Sequence, residues 1–272
     1  MAESPNYFAG AAIAARYRRA RPRFHAEAIE RIRRMAGVAR FRRALDVGCG
    51  AGDSTHALAG VADEVVGVDS SPEMLAQAQP AEHLRFLHGR AEELDFAEGE
   101  FDLITVALAL HWFDPAPFFA GCRKVLAPRG VLAVYNDHFT THMRGQPACS
   151  RWMRSRFARR FPQPRRGMRD LDEAAAFAGG FRSADRASFE HIVCWSRAEF
   201  IDYLLTRSHT LAQIQDGRES EHSAAAWLEE ELTGMLPDGS AGEFIFKCNL
   251  WLLGPKKSVE FRTLAGKKQA NI

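Results

Sequence analysis

Three glycines in the run Leu45-Asp46-Val47-Gly48-Cys49-Gly50-Ala51-Gly52 are spaced so that a backbone could close around a ligand, with an acid, Asp46, directly before them. Glycine lets the main chain approach a bound group closely, and a helix starting just after such a loop offers unpaired N–H groups. The spacing is G-x-G-x-G and residue 53 is aspartate, so the pyrophosphate-reading G-x-G-x-x-G fingerprint is not met. Asp69 ends a second β-branched run, Val65-Val-Gly-Val-Asp69, where its carboxylate could accept hydrogen bonds from ribose hydroxyls. A nucleoside ligand without a pyrophosphate satisfies both facts. Other titratable groups are less telling. His111 follows a predicted strand and is a candidate general base. Nothing in the spacing of Asp95 or of Asp137-His138 sets them apart. Cys49 sits at a variable position between glycines, which argues against a thiol nucleophile.

Positioning these groups calls for alternating strands and helices. Arg43-Ala-Leu-Asp-Val-Gly48 reads as a first strand, Ser54 to Ala62 as a helix, and Val65 to Asp69 as a second strand. Ser71-Pro72-Glu73 opens a helix with a serine N-cap and proline at the first helical position. Leu84 to His88 and Phe101 to Ala107 read as strands three and four, Phe118 to Val125 as a helix, and Val131 to Tyr135 as strand five after a turn at Pro128-Arg-Gly130. This rhythm predicts an α/β fold with a parallel sheet covered on both faces. Upstream, Phe8 to Tyr17 and His25 to Ala36 read as helices separated by Arg21-Pro22. Downstream, Ala187 to Trp195 and Glu243 to Leu253 read as strands, and Ser196 to Thr206 and Ala224 to Met235 as helices. The expected organisation is a helical cap segment at 1–40, a ligand-binding core at 41–136, a helical insertion or lid at 137–185, the rest of the sheet with cap helices at 186–254, and a polar tail at 255–272.

The motifs resemble those of class I S-adenosylmethionine-dependent methyltransferases. Asp46-x-Gly-x-Gly-x-Gly with Asp69 is joined by Val66-Gly-Val-Asp-Ser-Ser-Pro-Glu-Met-Leu75, by Gly89-Arg-Ala-Glu-Glu-Leu94 and by the Phe101-Asp-Leu-Ile-Thr strand, in the family's order across roughly residues 40 to 135. The entry to strand five, ending in Gly130-Val-Leu, lacks the family's second glycine. The resemblance implies a Rossmann-like seven-stranded, mostly parallel sheet with helices on both faces, a helical cap, and a last strand that is antiparallel. It also implies S-adenosyl-L-methionine as cofactor and S-adenosyl-L-homocysteine as product. The cofactor residues it points to are Asp46, Gly48, Cys49, Gly50, Gly52, Asp69, Ser70, Met74, Arg90, Ala91, Glu92 and Ala107.

Two further segments are similar to small-molecule enzymes of the trans-aconitate methyltransferase type: Tyr17-Arg-Arg-Ala-Arg21-Pro22-Arg-Phe24 and Ala109-Leu-His111-Trp112-Phe113-Asp114. They place Tyr17 and Arg21 at the methionine end of the cofactor, Arg21 as a charge-assisted partner of its carboxylate. Trp112 and Phe113 would wall the acceptor pocket, with a core role as the competing reading. The implied activity is methyl transfer to a small molecule, foremost O-methylation of a carboxylate or hydroxyl by in-line displacement. N- or C-methylation, an RNA methyltransferase, and a cofactor-binding module without transferase activity are the alternatives.

Charge and composition bound these readings. The chain has 272 residues, 46% hydrophobic and 26% charged, as expected of a globular protein rather than a disordered one. Its net charge of +2 conceals eleven arginines against three acids up to Arg43, eight arginines and no acid from Arg151 to Arg169, and eight acids against one arginine from Asp216 to Glu243. Such arginine blocks could track the phosphates of RNA or approach an anionic acceptor, or could simply be solvated helix faces. The longest apolar stretch, Leu103 to Phe113, is short of the ~20 residues a membrane span needs. Met1-Ala-Glu-Ser-Pro lacks a secretory pattern, and five cysteines without a C-x-x-C pair argue against a disulfide framework or zinc cluster. The expectation is a cytoplasmic protein without a metal, of undetermined oligomeric state.

Overall fold

A computed structural model describes residues 11–163 and 171–256. The expected helix start at Phe8, the arginines 165, 166 and 169, and nearly all of the 255–272 tail lie outside these residues. Seven strands form one sheet in the order β3-β2-β1-β4-β5-β7-β6. They are β1 (Phe41–Val47), β2 (Ala62–Asp69), β3 (Leu84–His88), β4 (Phe101–Ala107), β5 (Leu126–Met143), β6 (Phe181–Ser196) and β7 (Ala241–Pro255). β1 to β5 pair in parallel, and β7 runs antiparallel to both β5 and β6. The expected Rossmann-like arrangement, with a reversed last strand, is the one observed.

The central strands are near-continuous apolar runs because helices cover both faces. On one face Leu45, Val66, Ile104 and Leu132 pack against Phe118, Phe119 and Cys122 of α5 (Pro115–Val125) and Ala176 of α8 (Glu173–Ala178). On the other, Ala44, Val65, Leu103 and Ala133 pack against Ala28, Ile29 and Ile32 of α2 (His25–Ala36) and Leu58 of α3 (Asp53–Leu58). α1 (Ala11–Ala20) docks on the glycine loop, where Ala14, Ala51, Met74 and Tyr17 form a small apolar cluster. α4 (Pro72–Leu75) begins as the sequence predicts, with Ser71 Oγ accepting the Met74 amide and Pro72 in the first turn.

The stretch expected as a helical insertion departs from that reading at both ends. Residues 137–143 continue β5 and pair with β7, and β6 starts at Phe181 rather than Ala187. Between them lie α6 (Pro147–Trp152), a π-helical turn over Met153–Phe157, α7 (Ala158–Arg160) and α8. Pro128-Arg-Gly130, expected as a turn, lies within β5, whose register against β4 shifts between Phe101 and Leu103. The overhanging part of β5, β6 and β7 supports a third core. There Phe139, Phe244, Phe246 and Trp195 meet Trp152 and Phe157, Phe200 and Leu204 of α9 (Arg197–Leu205), and Leu228 of α11 (Glu221–Leu232). α10 (Ser208–Gln215), which the sequence reading missed, joins this cap.

Candidate active site

At the carboxyl ends of β1 and β4 a group of hydrogen bonds holds the glycine loop from below. Asp46 is fully buried and accepts three hydroxyl bonds, from Ser54 (2.6 Å), Thr55 (2.8 Å) and Thr105 (2.8 Å). Burial outweighs these bonds and raises its carboxyl above the ordinary range. Asp46 therefore ties α3 and β4 to the loop and does not line the cleft described below, contrary to the expected ligand contact. Gly52 does not line it either. It caps α3 with φ +89°, and a Cβ there would come within 2.8 Å of the Phe86 ring. Gly48 (φ +74°) has a similar constraint: its Cβ would meet that of Ala109 at 2.5 Å, so the glycine is what lets the turn after β4 approach the loop.

The remaining expected residues converge on one cleft of about 1440 Å3. Gly48, Cys49, Gly50, Asp69, Ser70, Met74, Arg90, Ala91, Glu92 and Ala107 line it, as do Tyr17, Arg21, His111, Trp112 and Phe113. Asp69 Oδ2 accepts the Gly50 amide and Oδ1 the Ser71 amide, both at 2.8 Å. Burial raises the Asp69 carboxyl, and the Ser71 and Gly50 amides oppose that. Glu92 accepts the amide of Asp114 at 2.9 Å and so fastens the segment after β3 to the turn after β4. Leu108 opens that turn with φ +56°, a strained conformation for leucine. His111 packs against Trp112 (4.7 Å between ring centroids). Trp112 in turn packs with Ile13, Leu211 and Ala212, and Phe113 with Phe118 at 5.0 Å, so both aromatics wall the cleft while also closing the cores behind it. The Cys49 thiol is pushed far above its ordinary range by burial and by Asp46 and Asp69, which is the opposite of what a nucleophile needs.

Arg21 stacks over Tyr17 (4.3 Å to the ring centroid) and donates to the Thr206 carbonyl at 2.9 Å. Its Nε is buried without a hydrogen-bond partner. Asp137 lines the cleft and accepts from His191 at 2.9 Å, and His138 lines it too, whereas Asp95 is exposed on the surface away from it. Sequence reasoning missed His25, Asn136, Tyr203, Arg207, Ser208, His209, Lys247 and Asn249, all of which line the cleft. They come from β5, β7 and the cap, and only the fold brings them to the loop. Burial lowers His25 to about 4, and its Nδ1 lies 3.1 Å from the Tyr135 hydroxyl.

The arginine blocks meet protein acids. Arg156 pairs with Glu231 (2.5 Å) and Arg160 with Glu219 (2.6 Å), so the basic 151–160 segment is bound to the acidic one from Asp216 to Glu243. Arg16 pairs with Glu221 (2.6 Å), and Arg19 with Asp202 (2.8 Å). None of Arg151, Arg154, Arg156, Arg159 and Arg160 lines the cleft, so the expectation that this block reaches the acceptor does not hold for them. Among the described residues no helix is long and apolar enough to cross a membrane, and no group of three or more His, Cys, Asp or Glu could hold a metal ion.

The sheet order, the reversed β7 and the glycine loop beside Asp69 define the class I S-adenosylmethionine-dependent methyltransferase fold. Residues 45–134, about a third of the chain, match the family model described as a methyltransferase domain. An uncharacterized methyltransferase of Synechocystis is 37% identical over 120 residues, 43% of this chain and 55% of that protein. The ubiquinone biosynthesis O-methyltransferase of Methylococcus capsulatus is 38% identical over 100 residues, 34% of this chain and 41% of the relative. The chain spans about half or less of the length of such curated relatives. Among solved structures, one described as a putative type II methyltransferase from Anaeromyxobacter dehalogenans has a TM-score of 0.66 at 22% identity, covering 84% of this chain and 96% of that one. The residues after 136 that line the cleft lie outside the family match.

Proposed function

We propose that the protein is an S-adenosylmethionine-dependent methyltransferase that O-methylates a carboxylate or hydroxyl of a small molecule. The observation that carries this reading is the convergence, in one cleft, of the Asp69–Gly50 loop, Tyr17 and Arg21, and the His111-Trp112-Phe113 turn. These residues fit the cofactor. Asp69 keeps lone pairs for ribose hydroxyls beyond its two amide bonds, and the buried Arg21 Nε lacks the partner that a carboxylate would supply. Ser70 and Met74 flank the ribose in this reading, Arg90, Ala91 and Glu92 bracket the adenine, and Ala107 with Gly48, Cys49 and Gly50 lets the nucleoside approach the backbone. Asp46 and Gly52 act through the loop they shape.

When bound, S-adenosylmethionine supplies a methyl group activated by the adjacent sulfonium, which passes to the acceptor oxygen and leaves S-adenosylhomocysteine. The chain's own part is orientation and exclusion of water, by Trp112 and Phe113 on one segment and Tyr203 on another. A carboxylate acceptor is ionised at neutral pH and needs no base. A hydroxyl acceptor would give its proton to His111, for a gain of roughly 10²–10⁴ in rate. A relative that is an O-methyltransferase of ubiquinone biosynthesis supports oxygen as the acceptor atom. The pairing of Arg156 and Arg160 with Glu231 and Glu219 weighs against RNA.

Incubation with methyl-labelled S-adenosylmethionine and a panel of aliphatic acids and phenols tests this. Labelled esters or aryl ethers are expected. His111→Ala should slow phenol methylation by about 10²–10⁴ and leave acid methylation within about tenfold. Label entering RNA and no small acceptor would overturn the reading.

A further inference from the structure

The turn between α9 and α10 brings a second guanidinium to the cleft. Arg207 and Arg21 both line it, and both lie against the Tyr203 ring, at 5.8 and 5.4 Å from its centroid. Both side chains are half-buried, and each has a buried Nε without a hydrogen-bond partner. Among the described residues neither pairs with a carboxylate, whereas Arg16, Arg43, Arg160 and Arg197 all do. Beyond the ring contact, Arg207 reaches the Tyr203 hydroxyl at 3.4 Å. Two half-buried guanidinium groups beside one ring, neither with a carboxylate partner, leave positive charge facing the cleft. One anion, the carboxylate of the cofactor, answers Arg21 in the reading above. Arg207 still lacks one.

Three further features of the same turn point to an anion. α10 starts at Ser208 with Arg207 as its N-cap residue and no side chain caps it; the Thr210 and Leu211 amides donate to the Arg207 carbonyl, which leaves those of Ser208 and His209 for another group. Ser208 and His209, its first two residues, line the cleft. His209 stays neutral, lowered to about 4 by burial and then by the charge of Arg207, and its Nδ1 lies 3.3 Å from the Phe161 carbonyl. Leu211 and Ala212 of the same helix pack against Trp112, which fixes this turn beside the candidate base His111.

We propose that Arg207, the Ser208 hydroxyl and the backbone amides of Ser208 and His209 bind an oxyanion, a carboxylate or phosphate, that the methyl acceptor carries in addition to the oxygen that is methylated. The inference rests on the methyltransferase reading and adds a substrate class to it: small acceptors with an anionic handle, held by the cap.

The test uses anion probes on the intact protein, with and without saturating S-adenosylhomocysteine, which in this reading occupies Arg21. Inorganic phosphate and succinate are titrated calorimetrically. Wild type is expected to bind at least one of them, and the tighter of the two tells phosphate from carboxylate. Arg207→Gln should weaken that binding at least about tenfold, while Arg207→Lys keeps part of it. S-adenosylhomocysteine affinity should stay within about threefold, and the exposed Arg151→Gln should match wild type. If Arg207→Gln does not fold, Ser208→Ala takes its place, with a loss of about threefold or more. Failure to bind either anion, or equal binding by wild type and variant, overturns the proposal. Anion binding without S-adenosylhomocysteine binding would retain the Arg207 site and remove the methyltransferase reading, so the two failures are distinct.

Discussion

Asp69 at the end of β2 accepts the amide of Gly50, nineteen residues earlier, at 2.8 Å, so one carboxylate sets both the strand end and the glycine loop. Its second oxygen takes the Ser71 amide and fixes the entry to α4. The group assigned to the ribose is thus also the group that shapes the loop under it. Loop geometry and ligand affinity are coupled through a single side chain.

Asp46 extends the same logic beneath the loop, and it predicts a stability effect. Asp46→Ala leaves the hydroxyls of Ser54, Thr55 and Thr105 without their buried acceptor and should cost about 3 kcal/mol in urea unfolding at pH 7.5. Asp46→Asn keeps a carbonyl acceptor and should cost less, about 1 kcal/mol. Because the Asp46 carboxyl is raised, the native state binds its proton more tightly than the unfolded chain does. Its contribution is therefore greatest at low pH and is lost as pH rises through the folded value, a slope that Asp46→Asn should lack.

His25 predicts the opposite slope. Its imidazole is lowered from 6.5 to about 4 by burial, so below pH 6.5 the unfolded chain takes up a proton that the native state refuses. Stability is full above pH 6.5 and declines as pH falls toward about 4, by roughly 2 kcal/mol at pH 5. His25→Phe, which keeps a ring against Phe24 (4.3 Å between centroids), should flatten that decline in urea titrations at pH 7.5 and 5. An unchanged slope in the variant would contradict the assignment.

Nucleic-acid affinity should be weak and only mildly salt-dependent, because Arg156, Arg160 and Arg16 already have carboxylate partners. The Glu231 and Glu219 carboxylates are largely buried, and these pairs occupy the arginine charges. Retention on heparin should be lost by about 200 mM salt, with a slope of log K on log salt shallower than about −2. A slope of about −6 or steeper would place the arginines on phosphates.

How much of this was legible in the sequence follows from how local each signal is. β-branched runs closed by Gly48 and Asp69, and the Ser71-Pro72 cap, depend on near neighbours, and the core through β4 forms where they predict. Residues 137–143 and 181–186 gave no sheet signal, since His138-Phe-Thr-Thr-His142 and Arg182-Ser-Ala-Asp-Arg186 are polar and in strand only through antiparallel pairing with the distant β7. The charge blocks were visible, but their pairing with each other was not, because composition does not say which segments meet. The same holds for Arg207 and His209: α10 has no side-chain cap to announce it, and the cap's folding alone brings them to the cleft.

The most direct test of the central claim is calorimetric titration of S-adenosylmethionine and S-adenosylhomocysteine into wild type and Asp69→Ala. Micromolar binding by wild type, about 8 kcal/mol, with loss in the variant is the predicted result. No binding of either compound by the folded wild-type protein would contradict the account.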